Sequence, residues 1–195
     1  MTATQSIGMK TLRTSALIAL FTATTCAAQG VLVNGDFASN LTGWTIDSSS
    51  PLPTWSALDY QGNATSGSAL LTNDGVDPNV RLYPLRQCIQ ILPGAYQLVA
   101  SGYLASGHTG GRLVVSYGLR ATADCSGGYY AGGGFYLESN GAWQQAGYPL
   151  TVQDRPVNSL EVLLGIEKDA AGGELQGNID GVKVLGDDIF SDGFE

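Results

Sequence analysis

The stretch NIDGVKV at residues 178–184 and the stretch NGDF at residues 34–37, which Gly43 and Trp44 follow, decide the predicted fold. Each stretch combines apolar residues with Asn, Asp and Gly, and the two lie at opposite ends of the chain. Short apolar runs bounded by such turn residues are typical of strands. We therefore predict that the two stretches form the first and last strands of one β-sandwich.

The chain between these stretches also favours strands over helices. Glycine contributes 27 of the 195 residues and charged residues only 13%. Short apolar runs separated by Gly, Pro, Asn and Ser indicate an all-β domain. The predicted strands are residues 31–37, 44–46, 69–72, 86–91, 95–104, 112–119, 134–138, 143–152, 159–166 and 178–185. Short strands with some long connections favour a single-domain jelly-roll β-sandwich over a simple meander.

The first 28 residues have the features of a secretory signal peptide. Lys10 and Arg13 precede an apolar run at residues 16–21, and small residues lead to a predicted cut after Ala28. The apolar run is well short of the roughly 20 residues that span a bilayer, which argues against a membrane anchor. A lipoprotein cut before Cys26 is the other alternative. We expect a protein that is secreted, periplasmic or on the cell surface, with no integral membrane segment after cleavage.

The predicted division of the chain is a signal peptide at 1–28, a jelly-roll domain at 29–186 and an acidic tail at 187–195. The formal net charge of the whole chain is −8, and the signal segment contributes only basic residues. Nucleic acids and anionic lipid surfaces attract Lys and Arg, which replace their counterions. We therefore expect neither of them as a partner.

Two cysteines, Cys88 and Cys125, remain after the predicted cleavage. In an oxidising compartment a pair of cysteines favours one disulfide, which persists there. Two free buried thiols are the alternative.

With these elements placed, the chain resembles the carbohydrate-binding modules of the galactose-binding-like jelly-roll superfamily, especially their cellulose- and xylan-binding type. The landmarks occur in the family's order: NGDF with Gly43 and Trp44, GSAL at 67–70, QCI at 87–89, LPGAYQL at 92–98, Trp143, and IDGV at 179–182. The resemblance spans residues 31–185. It implies a non-catalytic module that recognises a polysaccharide or a cell-surface glycan.

The resemblance also implies a structural calcium ion between the first and last strands, with Asp36 and Asp180 as its carboxylates. Calcium takes 6–8 oxygen ligands, which two Asp side chains and nearby carbonyls supply in part. Ala38 and Gly181 stand where the family often has acidic residues. The alternative is that both Asp residues cap turns by accepting backbone N–H groups. No other cofactor is expected.

Sugar binding needs flat apolar rings that stack on pyranose faces, together with a few polar groups that bond to hydroxyls. Trp44 and Trp143 match family positions that pack in or beside the core, so we interpret them as structural. The remaining aromatic candidates lie in loops, at strand ends or on a polar strand face, and they are Trp55, Tyr60, Tyr83, Tyr103, Tyr129 and Tyr130. For each of them the alternative is a loop anchor whose polar atom bonds to backbone.

Catalysis is not expected from this sequence. Its only histidine, His108, lies in a Gly-rich turn, a poor place for a base that must be held rigidly. A glycosidase needs two carboxylates that flank a cleft, and Glu138, Glu161 and Glu167 follow no fixed spacing. A structural or adhesive cell-envelope protein that uses the sandwich for protein contacts is the first alternative to glycan binding. A glycoside hydrolase is the second.

The tail, DDIFSDGFE at residues 187–195, is similar to the Ile-Phe-x-Asp-Gly-Phe-Glu ending of some exported gammaproteobacterial proteins. A sorting or processing tag and a solvated disordered tail are the two interpretations.

Overall fold

The fold is taken from a computed structural model, and the structure describes residues 32–48, 51–108, 110–153 and 156–186. The predicted signal peptide, its cleavage site and the acidic tail lie outside these residues. Those three assignments therefore stay predictions.

The described residues form two antiparallel sheets of five strands each. The strands are β1 (Thr45–Ile46), β2 (Thr54–Ser56), β3 (Ser68–Asn73), β4 (Val80–Gln90), β5 (Gly94–Leu104), β6 (Gly111–Arg120), β7 (Tyr129–Leu137), β8 (Gln144–Val152), β9 (Ser159–Lys168) and β10 (Leu175–Gly186). Sheet A has the order β1-β4-β9-β6-β7, and sheet B has the order β2-β3-β10-β5-β8. Most strands that are neighbours in a sheet are distant in sequence, because the chain crosses repeatedly between the two sheets. The predicted all-β jelly-roll sandwich is confirmed.

The part of the chain that the structure describes contains no helix. It accordingly offers no helix that is long and apolar enough to cross a membrane.

Strand β9 shows how the sequence separates the core from the outer surface. Leu160, Val162, Leu164 and Ile166 are fully buried between the sheets, and each such side chain stabilises the fold by roughly 1.5–3 kcal/mol. Successive residues of a strand point to opposite faces. The intervening residues 161, 163, 165 and 167 therefore lie on the outer face of sheet A, the side turned away from sheet B.

The predicted first strand at residues 31–37 is wrong for the residues that are described there. Asn34 and Phe37 have φ angles of 53° and 41°, a left-handed conformation that an extended strand does not contain. The segment is a turn that still contacts the last strand, since the N–H of Val182 donates to the carbonyl of Gly35 at 3.0 Å. Phe37 is buried and stacks on Trp44 at 5.6 Å. The ends of the domain meet as predicted, and Trp44 is structural.

Strands β4 and β7 begin earlier than predicted, for two physical reasons. Strand β4 contains Pro84, which lacks a donor for the ladder, and a register shift between Leu82 and Leu85 accommodates it. Strand β7 contains glycines 132–134, which are typical of a loop, yet these glycines pair with β6. The short strand β2 was not predicted, because its three residues are too few to show a strand pattern in the sequence.

The predicted disulfide between Cys88 and Cys125 is confirmed. Cys88 lies on β4, and Cys125 lies in the loop between β6 and β7. The bond therefore links the loop between β6 and β7 to β4, which lies across β9 from β6 in sheet A.

Candidate functional site

A cavity of about 390 Å³ lies on the outer face of sheet A. Ser116 on β6 and Gly134 on β7 are directly opposite one another, and both line the cavity together with Tyr129 and Tyr136. A side chain at position 134 would collide with the carbonyl of Val115. Because Gly134 has no side chain, the space above the sheet between Tyr129 and Tyr136 stays open.

A second cavity, of about 330 Å³, lies on the same face over β4 and β9. Cys88 and Glu161 line it, and they share one row of the sheet with Gly118 and Gly132. That row crosses four strands, and the Tyr129 ring lies over its two glycines, between the two cavities. We call the two cavities and the linking row the groove.

Two tyrosine rings lie close to the sheet because glycines leave room beneath them. A Cβ atom at Gly165 would come within 2.7 Å of the Tyr83 ring, and one at Gly118 within 3.3 Å of the Tyr129 ring. The Tyr83 hydroxyl lies 3.0 Å from the Ser116 hydroxyl. Tyr129 is 60% exposed, so one face of its ring is open to a ligand.

Tyr136 forms the other side of the first cavity and is held by two arginines. The guanidinium carbon of Arg112 lies 4.1 Å from the centre of the Tyr136 ring, and that of Arg81 lies 5.4 Å away. Arg81 also donates to the Tyr136 hydroxyl at 2.9 Å. Both arginines pair with the carboxylate of Glu167 at 2.5 Å. The wall is a connected network of cation–π contacts and ion pairs.

A similar pair supports Tyr129. The Arg120 guanidinium carbon lies 5.4 Å from the centre of its ring. Arg120 donates to Oε2 of Glu161 through both Nε, at 3.0 Å, and a terminal nitrogen, at 2.6 Å. Each side of the groove therefore combines an exposed tyrosine with an arginine that a buried glutamate holds.

The charges around the groove cancel. The charged residues that line its two cavities, taken with their ion-pair partners, comprise four arginines and four carboxylates: Arg81, Arg86, Arg112, Arg120, Asp124, Glu138, Glu161 and Glu167. The whole chain has a formal net charge of −8. The groove is thus a locally neutral surface on an acidic protein.

A smaller pocket, of about 180 Å³, lies on the outer face of sheet B. It contains Asp36, Asp59, Asp180 and Lys183. The Asp180 carboxylate accepts the backbone N–H of Tyr60 at 2.9 Å and that of Gly181 at 2.6 Å. Burial, added to the neighbouring charges of Asp59 and Asp36, raises the pKa of Asp180 to about 6.

This pocket contains both residues of the predicted calcium site. Asp36 forms an ion pair with the Lys183 ammonium at 3.2 Å, and both oxygens of Asp180 accept backbone N–H groups. Within the described ranges, no three His, Cys, Asp or Glu side chains are grouped to hold a metal ion. The carboxylates of Asp36 and Asp180 thus engage an ammonium group and backbone N–H groups in this arrangement. Metal binding by Asp36 and Asp180 stays a prediction that an experiment must decide.

The structure distributes the predicted aromatic ligand residues over separate places. Tyr60 and Tyr103 pack against Trp143, with ring centres 5.8 and 5.7 Å from it. These three rings lie away from sheet A. Trp55 donates through its indole nitrogen to the carbonyl of Phe37 at 2.8 Å, and it anchors β2 to the first turn.

One of the predicted residues, Tyr129, lines the groove. Tyr83 lies beside it, with its hydroxyl 3.0 Å from that of Ser116, but lines neither cavity. Tyr130 is 45% exposed and is next to Tyr129 in the chain, but it lines neither cavity. Sequence reasoning missed Tyr136, although it lies in a predicted strand and alternates there with Gly134 on one face. Pairing that strand with its neighbour would have identified it.

No family model matches the sequence, and no curated protein has a similar sequence. Solved structures nevertheless share the fold. A family 61 carbohydrate-binding module in complex with β-1,4-galactotriose is 11% identical, with a TM-score of 0.54, over 82% of this chain and 100% of that one. A family 4 carbohydrate-binding module is 16% identical, with a TM-score of 0.51, over 80% and 99%.

The enzymatically active domain of tailspike protein 4 from bacteriophage CBA120 is 16% identical, with a TM-score of 0.58, over 78% of this chain. This chain spans only 20% of that protein. At these identities the likeness shows the fold alone, which is a jelly-roll sandwich of the kind that carbohydrate-binding modules use.

Proposed function

We propose that the domain is a non-catalytic module that binds a neutral polysaccharide in the groove of sheet A. The observation that carries this proposal is the pair of exposed tyrosines, Tyr129 and Tyr136, on either side of a floor made by Ser116 and Gly134. Pyranose faces stack on aromatic rings, and the flanking guanidinium and carboxylate groups bond to hydroxyls. The carbohydrate-binding modules of the same fold support a sugar as the ligand.

The extent of the groove favours a chain over a single sugar. Its linking row crosses four neighbouring strands, which lie about 4.8 Å apart, so the row extends over about 14 Å. An oligosaccharide of a few residues spans this distance by passing over the exposed Tyr129 ring, which lies between the two cavities. The family 61 module of the same fold binds a trisaccharide.

Charge balance favours a neutral ligand. Arg81, Arg112 and Arg120 are all paired with carboxylates. The fourth arginine, Arg86, lines the second cavity together with Asp124 and Glu161, so the groove offers little uncompensated positive charge to an acidic sugar. The net charge of −8 on the chain also repels a polyanion at low ionic strength.

The state of Glu167 supports binding without catalysis. A glycosidase needs one carboxyl group whose raised pKa lets it donate a proton. Burial alone raises the pKa of Glu167, but hydrogen bonds from Arg112 and Arg81 outweigh burial and lower it. Glu167 is therefore ionised when a general acid must be protonated.

We also propose that the module is exported, with residues 1–28 removed and residues 29–186 as the domain. The disulfide between Cys88 and Cys125 supports an oxidising compartment. The predicted signal peptide and this bond agree, although they are independent features of the sequence.

Affinity gel electrophoresis tests the proposal directly, with cellulose, xylan, β-glucan, galactan and peptidoglycan in separate gels and with polygalacturonate as an acidic comparison. We expect retardation by at least one neutral polysaccharide and none by polygalacturonate. Tyr136→Ala and Tyr129→Ala should each weaken binding by about 1–2 kcal/mol. Leu52→Ala and Val76→Ala are matched controls, because both side chains are exposed and apolar but line neither cavity.

No retardation of the wild-type protein by any of these polysaccharides would overturn the proposal. A reducing-sugar release assay on every polysaccharide that binds tests the absence of catalysis. Release above that of a protein-free control would favour a glycosidase instead.

A further inference from the structure

Glu167 is a buried carboxylate that holds two like charges together. Its side chain is only 6% exposed, and it lies on β9 between Arg81 on β4 and Arg112 on β6. Oε2 pairs with Arg81 and Oε1 pairs with Arg112, each at 2.5 Å. Two guanidinium groups repel one another, so the intervening carboxylate is what allows both to lie side by side.

These two arginines in turn hold Tyr136. Arg112 stacks on the tyrosine ring at 4.1 Å, and Arg81 contacts both the ring and its hydroxyl. Tyr136 remains 41% exposed. Part of the ring is therefore supported by guanidinium groups while the rest is open to the groove.

We propose that Glu167 is a positioning residue that sets the orientation of Tyr136 for ligand binding. Glu167 is too deeply buried to contact a polysaccharide, and it acts only through Arg81 and Arg112. The part of this inference that concerns ligand affinity rests on the proposed function. The part that concerns the orientation of Tyr136 does not.

Glu138 provides a matched control on the same arginine. It contacts Arg112 at 3.5 Å and is 61% exposed, so it is the weaker and more solvated carboxylate. Glu167→Gln and Glu138→Gln change the net charge equally. They differ in whether the buried bridge between the two arginines is lost.

The first measurement needs no ligand. In proteins with ¹³C-labelled tyrosine rings, the Tyr136 resonances are assigned by comparison with Tyr136→Phe. We expect Glu167→Gln to shift these resonances and Glu138→Gln to leave them in place. Unmoved Tyr136 resonances in Glu167→Gln would overturn the proposal. If Glu167→Gln does not fold, Glu167→Asp keeps the charge but cannot reach both arginines, and the same criterion applies to it.

The second measurement is the affinity for the polysaccharide that retards the wild-type protein. We expect Glu167→Gln to weaken binding about fivefold, Glu138→Gln less than about twofold, and Glu167→Gln to have little further effect in a Tyr136→Ala background. An equal loss in that background would show that Glu167 does not act through Tyr136. If the wild-type protein binds no polysaccharide, the proposed function fails, while the resonances still decide the positioning role.

Discussion

The carboxylate of Asp180 accepts a hydrogen bond from the backbone N–H of Tyr60 at 2.9 Å, although the two residues are 120 positions apart. This bond ties the loop between β2 and β3 to the outer face of sheet B. Asp180 is only 3% exposed, and its pKa is raised to about 6. The loop is therefore held by a group that titrates in mildly acidic solution.

We predict that Asp180 destabilises the fold as the pH rises. Its pKa of about 6 exceeds its ordinary value of 3.8, so the fold favours the protonated form. The stability that this group contributes is fully present below a pH of about 4 and is lost as the pH rises through about 6. The loss is on the order of 3 kcal/mol.

Urea unfolding of the wild-type protein and of Asp180→Asn between about pH 4 and pH 8 measures this effect. The variant should gain stability relative to the wild-type protein as the pH rises, because its amide does not ionise. A difference between the two proteins that is the same at every pH would contradict the prediction.

The pocket around Asp36 gives a second prediction, which concerns metal. Because Lys183 already pairs with Asp36 and Asp180 accepts two N–H groups, we expect a chelator to leave the midpoint of thermal unfolding unchanged. Added calcium should have no effect either. A fall in the midpoint with chelator, reversed by calcium and absent in Asp180→Asn, would establish the calcium site that the family resemblance implies.

Strand alternation explains why the fold was predicted well from the sequence. The stripe from Leu160 to Ile166 is apolar at every second position, and the structure buries it completely. The prediction of a first strand was wrong because Asn34 and Phe37 adopt a left-handed backbone conformation. The apolar content of the segment does not indicate that local preference. Glycine-rich β7 was predicted too short for a related reason, since its strand state depends on pairing with β6.

The candidate site was predicted only in part, because it is made by strand order. Expected positions in loops and at strand ends selected Tyr129, which lines the first cavity, and Tyr83, which lines neither cavity. Similar reasoning also selected Tyr60 and Tyr103, which the fold packs against Trp143. The contacts between Tyr136 and its arginines require that β4, β9, β6 and β7 lie side by side in the sheet. That order of strands cannot be read from the sequence.

The disulfide gives a third prediction, which concerns stability. Cys88 and Cys125 are separated by 37 positions, so closing this loop restricts the unfolded chain by about 4 kcal/mol in the chain-entropy model. Cys88→Ala/Cys125→Ala should lower the free energy of urea unfolding by roughly 2–4 kcal/mol. Mass spectrometry of the non-reduced protein after alkylation provides the control, since an alkylatable pair of thiols in the wild-type protein would refute the bond in solution.

The fourth prediction concerns Gly118, which lies in the linking row beneath Tyr129. A Cβ atom there would lie 3.3 Å from the Tyr129 ring, so Gly118→Val should lift the ring from the sheet. Because valine suits a strand better than glycine, we expect the free energy of unfolding to change by less than about 1 kcal/mol. Polysaccharide binding should weaken about fivefold, which is about 1 kcal/mol.

Gly128→Val is the matched control for this variant. Nothing lies within 4 Å of a Cβ atom at position 128, and the residue is next to Tyr129 in the chain but lines neither cavity. Affinity electrophoresis and urea unfolding of both variants separate loss of binding from loss of stability. Equal affinities for the two variants would mean that the Tyr129 ring does not contact the ligand from its place above Gly118.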